Sequence, residues 1–302
     1  MSFTSIVKNE VSKQELNQLT NISLLSAILS NSYIDNDIIR ISTENASVAR
    51  YIYNLIKEIY NLYPKVIVRK GYNYNKKLLY IIIINKKLDI ILRDTGIESS
   101  RIPKSFIVDD TEILRAYLKG VFLLSGSIND PKTSRYHLEF VVNDEEYAEF
   151  LSDKLNTFNL NSKYIKHENK YMVYIKEAEK IGDFLRIINA TNALFYYEDI
   201  RIYRDHKNMT NRLNNCEQAN VDKIIASASK DIKDIELIEE LGAMELLDDK
   251  VKEVAIYRKK YPEVSLQELS EIISVETGNN ITKSGLHHRL NKIKELAKKL
   301  HK

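Results

Sequence analysis

The chain has 302 residues, of which 44% are hydrophobic and 29% charged, with 8 glycines, 4 prolines and one cysteine, Cys216. That composition excludes collagen-like and proline-rich classes, wholesale disorder, a disulfide framework within the chain and a thiolate zinc cluster. The net charge of +3 hides an uneven distribution: residues 235–280 carry 5 Lys and Arg against 11 Asp and Glu, whereas residues 281–302 carry 7 against 1. A local basic element of that kind is the footprint of a polyanion contact. The longest apolar run, residues 78–84, is too short to span a bilayer, and the opening MSFTSIVKNEV has no apolar core of signal-peptide type. The expectation is a soluble protein of a reducing cytoplasm, with no membrane partner.

Hydrophobic periodicity predicts a helix over residues 21–32, a strand over 37–43, and a helix over 46–63 that aligns Val48, Ile52, Leu55, Ile56 and Ile59 before Pro64 stops it. KVIVRK (65–70) and LLYIIIIN (78–85) read as strands joined by a GYNYN turn, and a helix over 86–95 is closed by Gly96. The same order returns: helix 111–125, strand 136–142, helix 144–159, strands 162–167 and 171–176, helix 178–190. The pattern is αβαββα twice, with the first helices offset by 93 residues. Two copies point to a pseudo-dimer, with a mixed sheet against helices and the hairpins forming a broad surface.

The first helix of each copy resembles the LAGLIDADG helix of homing endonucleases: residues 118–126 read LKGVFLLSG and residues 25–33 read LSAILSNSY. In that family small residues let two such helices pack closely, and Gly120 and Ala27 hold that small position here. The resemblance also implies a metal-binding acid at the eighth position, where this chain has Ser125 and Ser32. A hydroxyl is a poor substitute for a carboxylate on a divalent metal. The expectation is therefore no catalytic residue, no metal and no cofactor.

Residues 211–220 (NRLNNCEQAN) and 266–290 (LQELSEIISVETGNNITKSGLHHRL), with the opening segment and residues 120–138, complete a whole-chain resemblance to the WhiA family of bacterial sporulation and cell-division regulators. That resemblance implies an α+β fold: a duplicated αβαββα LAGLIDADG-like domain followed by an all-α helix-turn-helix domain. The expected division is residues 1–200, a linker or helix over 201–234, and residues 235–302.

In the last part, residues 249–261 read as a helix before Pro262, Ser265 and Glu268 as a capping box, and the next helix as running to about Ile273, followed by a turn over 275–280. Thr282 is the N-cap expected for the last helix and the first of its expected DNA-binding residues. Leu286, Leu290, Ile293, Ala297 and Leu300 form its apolar stripe. Ser284, His287, His288 and Asn291 are assigned to base edges, and Lys283, Arg289 and Lys292 to phosphates, with Arg289 alternatively pairing Glu268 or Glu271. Arg201, Arg204, His206, Lys207 and Arg212 either touch phosphate or dock the two domains, and Cys216 is expected to be a buried small residue. The residues themselves point to a protein of double-stranded DNA; what the WhiA resemblance implies is a non-catalytic role in transcription, cell division and chromosome segregation, cytoplasmic and nucleoid-associated, with a division or transcription protein as a further partner. The residues leave two alternatives open: a metal-dependent endonuclease using displaced acids, and an interaction hub with secondary DNA binding.

Overall fold

The computed structural model describes residues 1–15, 17–70, 78–133 and 135–301, so the expected GYNYN turn lies outside the described residues. The chain divides into two compact units, Met1–Arg204 and Asp205–Lys302.

The first unit opens with α1 (Phe3–Val11), which the sequence reading passed over. It buries Phe3, Val7 and Val11, spaced one helical turn apart. Each repeat then follows one plan. The first has α2 (Asn21–Ser30), β1 (Tyr33–Ile34), β2 (Ile39–Thr43), α3 (Ala46–Tyr60), β3 (Lys65–Lys70), β4 (Leu78–Ile84) and α4 (Leu88–Asp94). The second has α5 (Thr111–Ser125), β5 (Gly126–Ile128), β6 (Leu138–Val142), α6 (Glu145–Asn156), β7 (Lys163–His167), β8 (Lys170–Ile175) and α7 (Ala178–Ile187). Short polar side chains start the helices: the Asn45, Asp110 and Asp144 side chains each accept from backbone amides of the first turn of α3, α5 and α6.

Two expectations need correction. Each repeat gains a strand of 2 or 3 residues, β1 and β5, too short to show a period in sequence. And the sheets are antiparallel throughout, ordered β1-β2-β4-β3 and β5-β6-β8-β7. They are not mixed, because the helix between the second and third strands of each repeat returns the chain to a hairpin on the same sheet.

The core of this unit lies between the sheets and the helices, with α2 and α5 side by side at its centre. A Cβ built on Gly120 would stand 2.5 Å from the Leu24 carbonyl oxygen and 2.8 Å from the Ala27 Cβ. Only glycine lets the two helices approach this closely, as the LAGLIDADG resemblance implied.

The long helix α8 (Thr191–Glu240) runs 50 residues. Glu10 of α1 accepts from the amides of Asn192 and Ala193 at 2.7 and 2.9 Å, so a carboxylate meets the positive end of α8. The expected linker, residues 201–234, lies inside this one helix. From Asp205 to Lys223 every residue is exposed, and Cys216 is exposed with them. That reverses the expectation of burial, because among the described residues none covers this stretch of α8.

The second unit packs the C-terminal part of α8 with α9 (Asp249–Lys260), α10 (Leu266–Thr277) and α11 (Lys283–Leu300). Its core is formed by Ile235 and Ile238 of α8, Val251 and Val254 of α9, Leu269 and Ile273 of α10, and Leu286, Leu290 and Ile293 of α11.

Candidate nucleic-acid interface

The second unit holds a tightly specified helix-turn-helix. The capping box at Ser265 and Glu268 is present in both directions. The helix α10 runs on to Thr277, past the expected end near Ile273, and stops at Gly278, whose φ of 72° is the left-handed conformation that glycine adopts without strain. The turn is pinned from within, the Ile281 amide donating to the Ser274 hydroxyl at 3.0 Å. Thr282 then caps α11 by accepting from the Gly285 amide at 3.2 Å.

Seated on Leu286, Leu290, Ile293 and Ala297, α11 turns a polar face to solvent. Thr282, Lys283, Ser284, His287, His288, Asn291 and Lys292 are all exposed, and Arg289 is half-buried. An open cavity along this face is lined by His288, Asn291, Lys292, Lys294, Glu295 and Lys298. The Lys292 ammonium donates to the Asp248 carboxylate at 3.1 Å. That hydrogen bond, ahead of the bond from the Val251 amide, holds Asp248 below the usual carboxylate range. Both partners are about half exposed, 48% and 55%, so solvent screens the pair, it contributes little to stability, and it yields readily to a phosphate. Arg289 also lies in the field of Asp248, and no pair with Glu268 or Glu271 is formed among the described residues.

One side chain of this unit escaped sequence reading. Arg258 of α9 is 1% exposed. Its Nη1 donates to the Val264 carbonyl at 2.8 Å, and its Nε lies 3.5 Å from Asp231 of α8. Burial raises the Asp231 pKa and the guanidinium partly offsets this. The local signal that separates Arg258 from the exposed Lys259 and Lys260 is its place at helical spacing on the stripe of Val251, Val254 and Ala255.

In the first unit, the motif ends of α2 and α5 are built alike. The Ser32 hydroxyl donates to the Ile28 carbonyl at 2.7 Å, and the Ser125 hydroxyl to the Val121 carbonyl at 2.9 Å. Each serine thus bonds back onto its own helix. Arg101, also unforeseen, donates through Nη1 to the carbonyls of Ser30 and Ser32 at 2.7 and 2.8 Å, a cation on the negative end of α2. Beside them the Tyr147 phenol, its pKa pushed up to about 12 by burial, shares a 2.9 Å hydrogen bond with Tyr117. Back-bonded hydroxyls beside a fixed guanidinium do not fit a divalent cation. Among the described residues no three His, Cys, Asp or Glu are grouped to hold a metal.

Of the basic residues on α8, Arg201 pairs with Glu198 at 2.7 Å. Arg204 donates to the carbonyls of Pro131 and Thr133 and lies 4.4 Å from the Tyr136 ring. The Arg201 pair lies within α8, whereas Arg204 fastens α8 to the loop after β5. His206, Lys207 and Arg212 are exposed.

Three family profiles match the chain: a WhiA N-terminal LAGLIDADG-like domain over residues 13–98, a WhiA LAGLIDADG-like domain over residues 114–207, and a WhiA C-terminal helix-turn-helix domain over residues 210–297. A relative from Lactiplantibacillus plantarum is 40% identical over 100% of this chain and 99% of its own length. The chain belongs to the WhiA family. That relative is named a probable cell division protein WhiA, as is one from Staphylococcus aureus that is 41% identical over 99% of this chain and 98% of its own. Among solved structures, the full-length WhiA of Thermatoga maritima is similar with a TM-score of 0.59 and 26% identity over 99% of both chains. The WhiA fold is therefore α+β, with duplicated LAGLIDADG-like halves and a C-terminal helix-turn-helix. No helix among the described residues is long and apolar enough to cross a membrane.

Proposed function

We propose that this WhiA-family chain is a non-catalytic regulator that binds double-stranded DNA through α11 and acts on transcription in cell division and chromosome segregation, in the cytoplasm and on the nucleoid. The observation that carries the reading is the exposed face of α11. Ser284, His287, His288 and Asn291 stand beside Lys283 and Lys292 on a helix whose N-terminus is fixed by Thr282. A recognition helix enters the major groove by its N-terminal turns, which supports assigning these side chains to base edges and the lysines, with Arg289, to phosphates. Metal-dependent cleavage is disfavoured by the back-bonding of Ser32 and Ser125, and the names carried by the relatives refer to division and not to a nuclease.

The test is binding of the full chain to genomic fragments over a salt series with Mg²⁺ present. We expect the DNA to stay intact and selected sites to be favoured over random DNA by about 10³-fold or more. Asn291→Ala should weaken the preferred site by about tenfold to a hundredfold and leave random DNA unaffected. Lys292→Ala should weaken all DNA alike and reduce the salt slope by about one. Equal losses on all DNA from both changes would sink the division into base and phosphate contacts, and cut DNA would restore the nuclease reading.

A further inference from the structure

Strand register divides each sheet of the first unit into two faces. Ile39, Ile41, Ile82 and Ile84 enter the core. Alternation therefore turns Arg40, Ser42, Ile81 and Ile83 outward, and β3 adds Lys65, Ile67 and Arg69 opposite Ile83, Ile81 and Leu79. Ile81 is only 7% exposed yet is no part of the core cluster, so its outward neighbours bury it. In the second sheet Leu138, Phe140, Val142, Val173 and Ile175 face the core. Glu139, Val141, Met172 and Tyr174 then face outward, and β7 adds Lys163 and Ile165 beside them. Val141 and Ile165 are 38% and 45% exposed. The two faces meet, since Ser42 of one sheet and Val141 of the other line one cavity of about 190 Å³ together with Arg101 and Lys170.

The floor of this surface is thus Ile67, Leu79, Ile81, Ile83, Val141, Ile165 and Met172, and the cations on or around it are Arg40, Lys65, Arg69, Lys163, Arg101 and Lys170. The outward acid on these strands, Glu139, is taken up by His137 at 3.1 Å. A floor that reads DNA needs hydrogen-bonding side chains for base edges, and protein–DNA interfaces are polar. Here Arg40, Ser42 and Tyr174 supply such groups, but the aliphatic stretch between them supplies none. Extended apolar surface with methionine and arginine around it is instead the composition of a protein interface. Addition of a further strand is opposed as well: the edge strands β3 and β7 carry Lys65, Lys70, Lys163 and Lys166, the charges that block edge pairing.

We propose that the outward sheet face of the first unit docks an acidic amphipathic helix of a partner protein. Its apolar stripe lies on the isoleucine floor, and its carboxylates meet Arg40, Lys65, Arg69, Lys163 and Lys170. This role is separate from the recognition helix, so either reading can fail alone.

The test places a photo-cross-linking amino acid at Ile83 or Ile165 of the full chain in the cell, with Glu146 on α6 as control. We expect adducts from positions 83 and 165, and not from 146, to one protein. The attached segment should interleave acidic residues with apolar ones at helical spacing. Arg69→Glu combined with Lys163→Glu should lower adduct yield at least tenfold while binding of DNA through α11 is retained. The milder pair Arg69→Gln and Lys163→Gln should lower it less. Adducts to DNA, to a second copy of this chain or to a segment without acidic residues overturn the proposal, as does a yield no higher than that of the control.

Discussion

Gly120→Val should destabilise the first unit by about 3 kcal/mol or more. The Cβ would meet the Leu24 backbone oxygen at 2.5 Å, and a backbone atom cannot move aside as a flexible side chain can. In calorimetry the transition of the first unit should fall by roughly 10 °C, with the second unit melting where it did before. Gly120→Ala should cost less. Adding Ala27→Gly should recover part of the loss and no more, because it removes the 2.8 Å contact with the Ala27 Cβ and leaves the one with Leu24. An unchanged first transition in Gly120→Val would mean that α2 and α5 do not touch as described.

Arg258→Ala should be as damaging in the second unit. It leaves Asp231 without its 3.5 Å partner and the Val264 carbonyl without its 2.8 Å donor, and it opens a void inside the unit. Removing one member of a buried pair costs about 3–5 kcal/mol, enough to abolish DNA binding at physiological temperature. The pH dependence gives a further check. In the native unit the Asp231 pKa is raised, first by desolvation, so its native form binds protons more tightly than its unfolded form. The stability contributed by this carboxyl therefore falls as pH rises from its unfolded value through its folded one. Without Arg258 the folded value rises further, and the window widens upward. Arg258→Met, which refills the space, should lose less stability relative to the native chain at pH 5 than at pH 7 in denaturant titrations. A constant difference across that range would show that Asp231 does not feel Arg258.

What could be read from sequence follows from how far each feature extends along the chain. The duplicated helix and its small residues were legible because Gly120 and Ala27 sit within a nine-residue pattern, and the capping residues Ser265 and Thr282 because a cap is local chemistry. The sense of the sheets was not, since the hairpin after α3 or α6 can set either its first strand, parallel, or its second, antiparallel, beside β2 or β6, and only the path in space decides for the second. Arg101 and Arg258 were missed for a related reason. Each acts on partners that folding brings to it, the α2 carbonyls and Asp231, and a basic side chain in sequence reads as solvated surface. The assigned residues of α11 were found because exposure alternates with burial at a fixed helical angle. The role of Lys292 in holding Asp248, 44 residues away, was beyond that reach.

The exposed stretch of α8 from Asp205 to Lys223 also sets how damage spreads. Its turns are held by backbone bonds and by exposed side-chain bonds from Thr210 to the His206 carbonyl and from Gln218 to Asp222, in a segment with asparagines at 208, 211, 214, 215 and 220, and asparagine is a weak helix former. Such a helix opens by fraying, with no need for either unit to unfold. Brief trypsin treatment should therefore cut first at Lys207, Arg212 or Lys223, and amide exchange should be fastest there. First cuts outside residues 205–223 would contradict this. A lesion in one unit then leaves the other intact and attached, so substitutions in each can accumulate on separate histories.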